Sequence, residues 1–438
     1  MRHGLTTYLL VGLMLGLTGC PDGTSNRRAA QARYESGWEY CEYEDYASAA
    51  EEFTEAIRID PKYAEAYSAR GMARYRQGKR AEAMADLDEA LRIGTDCGEC
   101  YFLRGSVRAE EKNYDEAIKD FSETIDIAPH RTDAYAKRAE CYREQEKYQE
   151  AIDDYEKILE IEPNSITPIL QRSIVHLRQK KYEAALADCN RAIELEPYSA
   201  EPYLQRGITR REKGEPITAA IADFTRAVDS DPDNAKAYLA RGQAWAEADR
   251  YDLALEDFTR AIQATEEANA DAYFLRGKAQ LALQRFHEAI ADLDKVIEAV
   301  GRHAEAYGHR GAARNRLGQY AEARFDLKRA VRLDPDLALA HNNLAWLSAT
   351  CPDPDFRDGE TALRHARRAV ELTDGKQWEY LDTLAAAQAE QGEFDEAVKT
   401  MNKALALVPQ DREEAKQQAL DRLRLYKEKK PYREREGG

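Results

Sequence analysis

The sequence predicts an all-α protein: an α-solenoid of about eleven stacked helix–turn–helix units followed by a C-terminal capping helix. Each unit holds two segments of about 12–14 residues with apolar residues at helical spacing. One helix pair cannot bury its apolar face, whereas stacked pairs can, so we expect a superhelix with a concave face. A motif of tyrosine, then arginine three positions later, then glycine or alanine recurs every 34 or 35 residues, at Tyr67, Tyr101, Tyr135, Tyr203, Tyr238, Tyr273 and Tyr307, with one interval of 68 where Ile169 takes the place of the tyrosine.

The repeats also set the element boundaries. Proline closes most units, because it disfavours helical backbone in the residue before it. Residues 412–430 are predicted as the capping helix and 431–438 as a charged tail. Unit 338–377 has six extra residues, placed in a loop that ends at Asp358, a predicted helix N-cap. The array itself spans 30–411, with units 30–63, 64–97, 98–131, 132–165, 166–199, 200–234, 235–269, 270–303, 304–337, 338–377 and 378–411.

The first 19 residues have the character of an export signal, with Arg2 before a ten-residue apolar run at 8–17. This run is too short to span a bilayer as a helix, which needs about 20 residues. The Leu-Thr-Gly-Cys sequence that ends at Cys20 resembles the lipobox of bacterial lipoproteins. The resemblance implies cleavage before Cys20, acyl chains on Cys20 and a short linker at 20–29. The alternatives are an ordinary secretion signal ending in a chance cysteine, and an uncleaved anchor.

Within each unit, a small residue at position 8, alanine at 20, an aromatic residue at 24 and proline at 32 are similar to the tetratricopeptide repeat family, over 30–411. The resemblance implies a right-handed superhelix whose concave side, lined by positions 2, 5, 9, 12 and 13 of each first helix, binds other proteins. The alternative for these positions is packing against neighbouring helices. Carried onto this chain, they predict an apolar band beside three arginines: Leu170, Ile174, Leu204, Ile208, Leu239 and Phe274, with Arg143, Arg178 and Arg211.

Arginine recurs at position 7 of the units and aspartate at position 23, in matched numbers. The favoured interpretation is a structural ladder of intramolecular ion pairs, because the planar guanidinium can hold a carboxylate at two points. The alternative is a basic stripe for an anionic ligand. The ladder residues include Arg104, Arg138, Arg206 and Arg241 with Asp120, Asp154, Asp223 and Asp257.

Cys97 and Cys100 lie where the second unit meets the third. We expect a disulfide or inert thiols here. Redox activity is an alternative because a helix N-terminus lowers a thiol pKa, although the βαβ context of thioredoxin-type motifs is missing. A zinc site is a further alternative, but it would need a second pair of ligands.

The amino-acid composition and the absence of known catalytic motifs narrow the range of functions that we expect. With 81 acidic and 64 basic residues, the net charge is −17, which disfavours nucleic acid and anionic lipid surfaces as general partners. No nucleotide-binding, hydrolase or zinc-protease motif occurs, so we expect no enzyme, cofactor, metal or small-molecule substrate.

The predicted function is a membrane-anchored scaffold or assembly adaptor of the bacterial cell envelope. It would be exported, tethered through Cys20 to the cell membrane or outer membrane, and would bind other proteins in its groove. One alternative is a structural spacer whose basic residues 412–438 touch an acidic partner. The other is thiol–disulfide activity at Cys97 and Cys100.

Overall fold

The computed structural model describes residues 24–94, 97–265, 269–410 and 412–434. The predicted signal segment 1–19 and Cys20 lie outside them. Throughout the described ranges the secondary structure is helical, with 23 α-helices, one short 3-10 helix and no strand. The all-α fold class is therefore confirmed.

The helices fall into two compact units, residues 1–188 and 189–438. The first unit contains α1–α9 and the start of α10 (Tyr182–Leu195), in which the boundary falls. Each odd-numbered helix from α1 to α7 packs on the helix that follows it, and each even-numbered helix packs on the next pair. The bounds are α1 Thr24–Glu42, α2 Tyr46–Ile59, α3 Ala64–Arg76, α4 Arg80–Ile93, α5 Gly98–Glu110, α6 Tyr114–Ile127, α7 Thr132–Glu144, α8 Tyr148–Ile161 and α9 Ile166–Arg178.

The second unit continues the alternation of first and second helices, and α23 packs on the last pair. A 3-10 helix, Pro354–Phe356, lies between α19 and α20. The bounds are α11 Ala200–Lys213, α12 Ile217–Ser230, α13 Ala235–Glu247, α14 Tyr251–Gln263, α15 Ala270–Ala282, α16 Phe286–Val300, α17 Ala304–Arg316, α18 Tyr320–Leu333, α19 Ala338–Thr350, α20 Gly359–Leu372, α21 Trp378–Glu390, α22 Phe394–Leu407 and α23 Glu413–Lys427.

In many pairs, close contact between the two helices depends on a glycine that faces a large apolar side chain of the second helix, either phenylalanine or leucine. Gly242 of α13 lies against Phe258 of α14, whose side chain is fully buried. A Cβ added at Gly242 would lie 2.6 Å from Cε1 of Phe258, closer than atoms can approach. Burying a side chain of this size contributes about 1.5–3 kcal/mol. The small residue at position 8 is therefore needed for the helices to approach.

The turn between the helices of a pair bends through one residue with left-handed backbone. In some pairs this is glycine, as at Gly318 with φ of 73°. In others it is not, as at Lys112 and Glu146, with φ of 63° and 59°. The extra residue of 200–234 lengthens α11 to 14 residues, and Gly214, with φ of 79°, is the residue that caps its C-terminus.

Two segments near the ends of the chain, and the long tenth repeat, differ in detail from the boundaries predicted from the sequence. Helix α1 begins at Thr24, inside the segment 20–29 that was predicted as a linker. Residues 431–434, predicted as part of a charged tail, pack against the second unit instead. In the tenth repeat, Asp358 caps α20 by accepting a hydrogen bond from the Thr361 backbone at 3.0 Å, and the 3-10 helix takes up part of the added length.

Candidate protein-binding surface

The arginines at position 7 are bound within the protein. In the first unit, Arg104 of α5 donates from Nε and Nη2 to the Asp120 carboxylate of α6, at 3.1 and 2.7 Å. Asp120 is only 2% exposed. Arg138 holds Asp154 in the same way, at 2.9 and 2.6 Å. Burial raises the pKa of Asp154, and the hydrogen bonds and charge of Arg138 act against that rise.

The second unit repeats this arrangement. Arg206 donates to Asp223 at 3.0 and 2.6 Å, and Arg241 donates to Asp257 at 2.9 and 2.7 Å. Asp223 also accepts a hydrogen bond of 2.8 Å from Arg210. These contacts leave the guanidinium groups engaged inside each helix pair, so they do not form an accessible basic stripe.

Several of the ladder arginines also join neighbouring repeats. The remaining guanidinium nitrogen of Arg104 donates to Asp88 of the preceding second helix at 2.7 Å. Arg206 reaches Asn190 in the same way at 2.8 Å. The motif tyrosine lies alongside the arginine, with the Arg104 guanidinium 5.5 Å from the centre of the Tyr101 ring. This cation–π contact gives a physical reason for the arginine that follows the tyrosine three positions later in the repeated motif.

The predicted apolar band is not an exposed surface. Leu170 is 7% and Leu204 is 4% exposed, and Leu204 belongs to the core cluster around Phe224. Phe274 is covered by His303 and His309, with ring centres 4.7 and 5.8 Å away. The prediction of an open apolar groove is therefore wrong for Leu170 and Leu204, because their side chains are buried between neighbouring helices, whereas Phe274 is half-buried. The remaining members, Ile174, Ile208 and Leu239, are half-buried.

The three predicted arginines differ from one another. Arg143 donates to Gln171 at 2.8 Å, and Arg211 donates to Gln243 at 3.1 Å, each reaching the first helix of the next repeat. Arg178 is exposed at the end of α9. Arg143 and Arg211 therefore connect neighbouring first helices, and their side chains are only half-exposed.

The second unit contains a site that the sequence analysis did not predict. A cavity of about 790 Å³ lies between α17, α23 and residues 432–434, lined by residues that include Asn315, Arg316, Arg422 and Arg424. A cavity of about 360 Å³ shares Asn315, Arg316 and Arg422 with it and extends to Asn342 and Trp346 of α19.

The chemistry of these cavities is polar and aromatic. The side-chain carbonyl oxygens of Asn315 and Asn342 are buried and have no hydrogen-bond donor among the described residues. Buried amide oxygens normally have a donor, so these atoms mark places where a ligand N–H could bind. Positions 12, 5 and 9 of their repeats hold Asn315, Asn342 and Trp346, which was the available sequence signal.

A buried ion pair forms the floor of this site. Arg422 of α23 donates to Asp382 of α21 at 2.9 and 2.6 Å, and both side chains are less than a tenth exposed. Burial raises the pKa of Asp382, and the charge and hydrogen bonds of Arg422 oppose that rise. The pair ties the capping helix to the last repeat.

A histidine pair lies nearby, in α19 and α20. Nδ1 of His341 and Nδ1 of His365 are 2.8 Å apart, and Nε2 of His341 lies 3.0 Å from the Pro335 carbonyl oxygen. Since that carbonyl can only accept, His341 carries its proton on Nε2 and accepts at Nδ1 from His365. Burial, together with the charges of His341, Arg364 and Lys328, lowers the pKa of His365 to about 4.

Cys97 and Cys100 form a disulfide across the first turn of α5, with Cα atoms 5.2 Å apart. Cys100 is fully buried. Across the described ranges there is no group of three or more His, Cys, Asp or Glu side chains placed to hold a metal ion. Nor is any helix there both long enough and apolar enough to cross a membrane.

Comparison with known families gives the same repeat. Sequence profiles described as tetratricopeptide repeat or TPR repeat match more than half of the chain, at residues 37–78, 68–132, 132–165, 173–244 and 274–338. The chain belongs to the tetratricopeptide repeat (TPR) family. No curated protein sequence matches it.

Several solved structures are similar to all or part of this chain. A TPR protein from Parabacteroides merdae is 22% identical with a TM-score of 0.47, over 58% of this chain and 99% of its own. The Cut9–Hcn1 hetero-tetramer of the APC/C is 13% identical with a TM-score of 0.48, over 91% and 99%. YrrB, described as a TPR protein with an unusual peptide-binding site, is 23% identical with a TM-score of 0.38, over 42% and 95%.

TPR proteins are scaffolds for protein–protein interaction, and they are in general not catalysts. Membership of the TPR family therefore supports an interaction scaffold as the general role of this chain. Within a TPR array the first helices of the repeats supply the surface that meets partners. In this chain the first helices α17, α19 and α21, together with the capping helix α23, line a site with room for a ligand.

Proposed function

We propose that this TPR protein is a membrane-anchored adaptor of the bacterial cell envelope. It is exported, acylated at Cys20, and holds partner proteins close to its membrane. The Leu-Thr-Gly-Cys sequence ending at Cys20 and the apolar run at 8–17 support the anchor. Two or more acyl chains give durable attachment, whereas one chain binds only marginally.

The observation that carries the binding role is the site around Trp346. Its two cavities share lining residues and combine an indole, two unpaired amide oxygens and several arginines, of which Arg316 is on a first helix and Arg422 and Arg424 are on the capping helix. This combination suits an extended segment of a protein, whose backbone N–H groups can reach the amide oxygens and whose acidic side chains can reach the arginines. The proposal therefore places partner binding here rather than in the band around Leu204.

The test is crosslinking in living cells, followed by recovery of the protein from membranes and mass spectrometry of the crosslinked partners. The wild-type protein is compared with Cys20→Ala, and with Trp346→Ala as a site variant and Trp245→Ala as a matched control on α13. We expect one enriched partner that is lost with Cys20→Ala and Trp346→Ala and kept with Trp245→Ala. Equal recovery of partners from all four proteins would contradict the proposal.

A further inference from the structure

Residues 431–434, here called the strap, occupy part of this site. The strap leaves the capping helix and runs without helical structure across α19. The backbone N–H of Glu434 donates to the Thr350 carbonyl at 2.9 Å. Its carboxylate accepts from Trp346 Nε1 at 2.9 Å and from Asn315 Nδ2 at 3.4 Å, with Arg316 at 3.6 Å. The Glu434 side chain is therefore bound from two first helices and is only 14% exposed.

The two preceding residues are also recognised individually. Arg433 forms an ion pair with Glu390 of α21 at 2.6 Å and donates to the Ala349 carbonyl at 3.2 Å. The ring of Tyr432 lies 6.0 Å from that of Trp346, between centres. Three successive side chains, aromatic, basic and acidic, thus meet groups of matching chemistry on α17, α19 and α21.

These contacts are those of a bound linear segment. They combine one backbone hydrogen bond with a specific partner for each side chain, and they come from three different repeats. We propose that the strap is a built-in ligand of a peptide-binding site, and that a partner segment with an aromatic–arginine–glutamate pattern displaces it. The inference rests on the proposed binding function and adds its occupant, the chemical pattern of the partner and a regulatory step.

An incoming segment has a physical advantage over the strap. The strap lies at one side of the larger cavity, whose other lining residues include the exposed Arg424 and the half-exposed Arg316. A longer segment would add contacts there and could donate to the unpaired oxygens of Asn315 and Asn342. The strap already contacts Arg316 and Nδ2 of Asn315, but it donates to neither amide oxygen. A displacing segment could therefore form hydrogen bonds that the strap lacks.

The short segment that connects the strap to α23 determines how strongly the strap competes with a partner peptide for the site. Three residues, 428–430, separate it from the end of α23. A short tether gives an effective concentration of about 1 mM. A strap that binds in trans with a Kd of about 100 µM would then fill the site about nine-tenths of the time and weaken a competing peptide about tenfold.

The test measures the strap as a separate peptide. A fluorescein-labelled peptide with the sequence of residues 429–438 is titrated with the full chain and with a variant lacking 431–438, and fluorescence anisotropy is recorded. We expect binding to the shortened variant about tenfold tighter than to the full chain. Trp346→Phe, which removes the indole N–H, should weaken binding to the shortened variant, and Trp245→Phe should leave it unchanged.

A second variant tests the inference independently, in case the shortened protein does not fold. Glu434→Lys in the full chain keeps its length but places a cation beside Arg316 and removes the acceptor for Trp346, so it should also bind the peptide more tightly than wild type. Failure of the peptide to bind either variant while both keep native circular dichroism would overturn the inference, as would equal binding to the full chain. If the cell crosslinking still yields a partner, the proposed function stands without the strap.

Discussion

Arg422 of α23 and Asp382 of α21 are 40 residues apart, yet they form a two-point ion pair at 2.9 and 2.6 Å. Both side chains are less than a tenth exposed. This pair differs from the repeating ladder, because the aspartate is on a first helix and the arginine is on the helix that closes the array. It joins the capping helix to the repeats through charge as well as through apolar packing.

Removing one side chain of this ion pair should lower the stability of the second unit. Removing one partner of a buried ion pair leaves an uncompensated charge, which typically costs about 3–5 kcal/mol. We expect Arg422→Ala to lower the melting temperature of the second unit clearly in thermal unfolding followed by circular dichroism. Arg424→Ala, an exposed arginine two residues along α23, is the matched control and should leave the melting temperature nearly unchanged. Equal effects of the two variants would contradict a structural role for the pair.

The ladder predicts a difference between two equivalent arginines. Arg206→Ala removes one partner from Asp223, but Arg210 still donates to that carboxylate at 2.8 Å. Arg241→Ala removes both hydrogen bonds that the structure shows for Asp257. Both variants should therefore lower the melting temperature, and Arg241→Ala should do so by more.

Partner binding should be nearly unaffected by either ladder substitution, because these arginines are engaged within their helix pairs. The experiment measures two quantities for each variant: the yield of crosslinked partner and the melting temperature. Loss of partner binding with an unchanged melting temperature would instead favour the alternative of a basic stripe for an anionic ligand.

Replacing either of two glycines in the second unit by alanine should change the stability of the protein in opposite directions. Gly242→Ala places a methyl group 2.6 Å from the Phe258 ring, and such overpacking costs about 1–3 kcal/mol. Gly308→Ala has no atom closer than 3.9 Å to the added Cβ and lies within α17. Alanine is a better helix former than glycine by about 1 kcal/mol. We expect denaturant unfolding to show Gly242→Ala as destabilised and Gly308→Ala as neutral or stabilised.

Acid should weaken the second unit through the histidine pair. The pKa of His365 is lowered from 6.5 to about 4 in the folded protein, so the unfolded chain takes up a proton at a higher pH. Stability is therefore complete above about pH 6.5 and is lost as the pH falls towards 4. Burial also lowers the pKa of His341; Arg368 acts in the same direction, and the Pro335 carbonyl, Asp334 and Asp336 oppose it.

The measurement is the melting temperature across pH 7 to 4 for wild type and His365→Gln. Glutamine does not titrate in this range, so the variant should show a shallower decline. His287→Gln is a matched control on exposed α16 surface and should keep the wild-type slope. Parallel curves for all three proteins would show that the pair does not govern the acid response.

Much of the fold was accessible from the sequence because each repeat carries its own local signals. The spacing of tyrosine, arginine, alanine and the closing proline placed the helix pairs, and Asp358 was correctly expected to cap α20. The site was not accessible in the same way. Positions 5 and 9 of a repeat can either face solvent or fill the gap to the next helix, and Leu204 and Phe274 do the latter.

By itself, the sequence determined the fold class, the repeat and the ladder pairing of Arg104 with Asp120, because these depend on contacts within one repeat or between adjacent ones. The tertiary structure alone decided the site at Trp346 and the place of the strap. Glu434 meets Trp346, 88 residues earlier, and Asn315, 119 residues earlier. No periodic pattern encodes such pairs, since they arise only after the last repeats stack and the capping helix returns the chain across them.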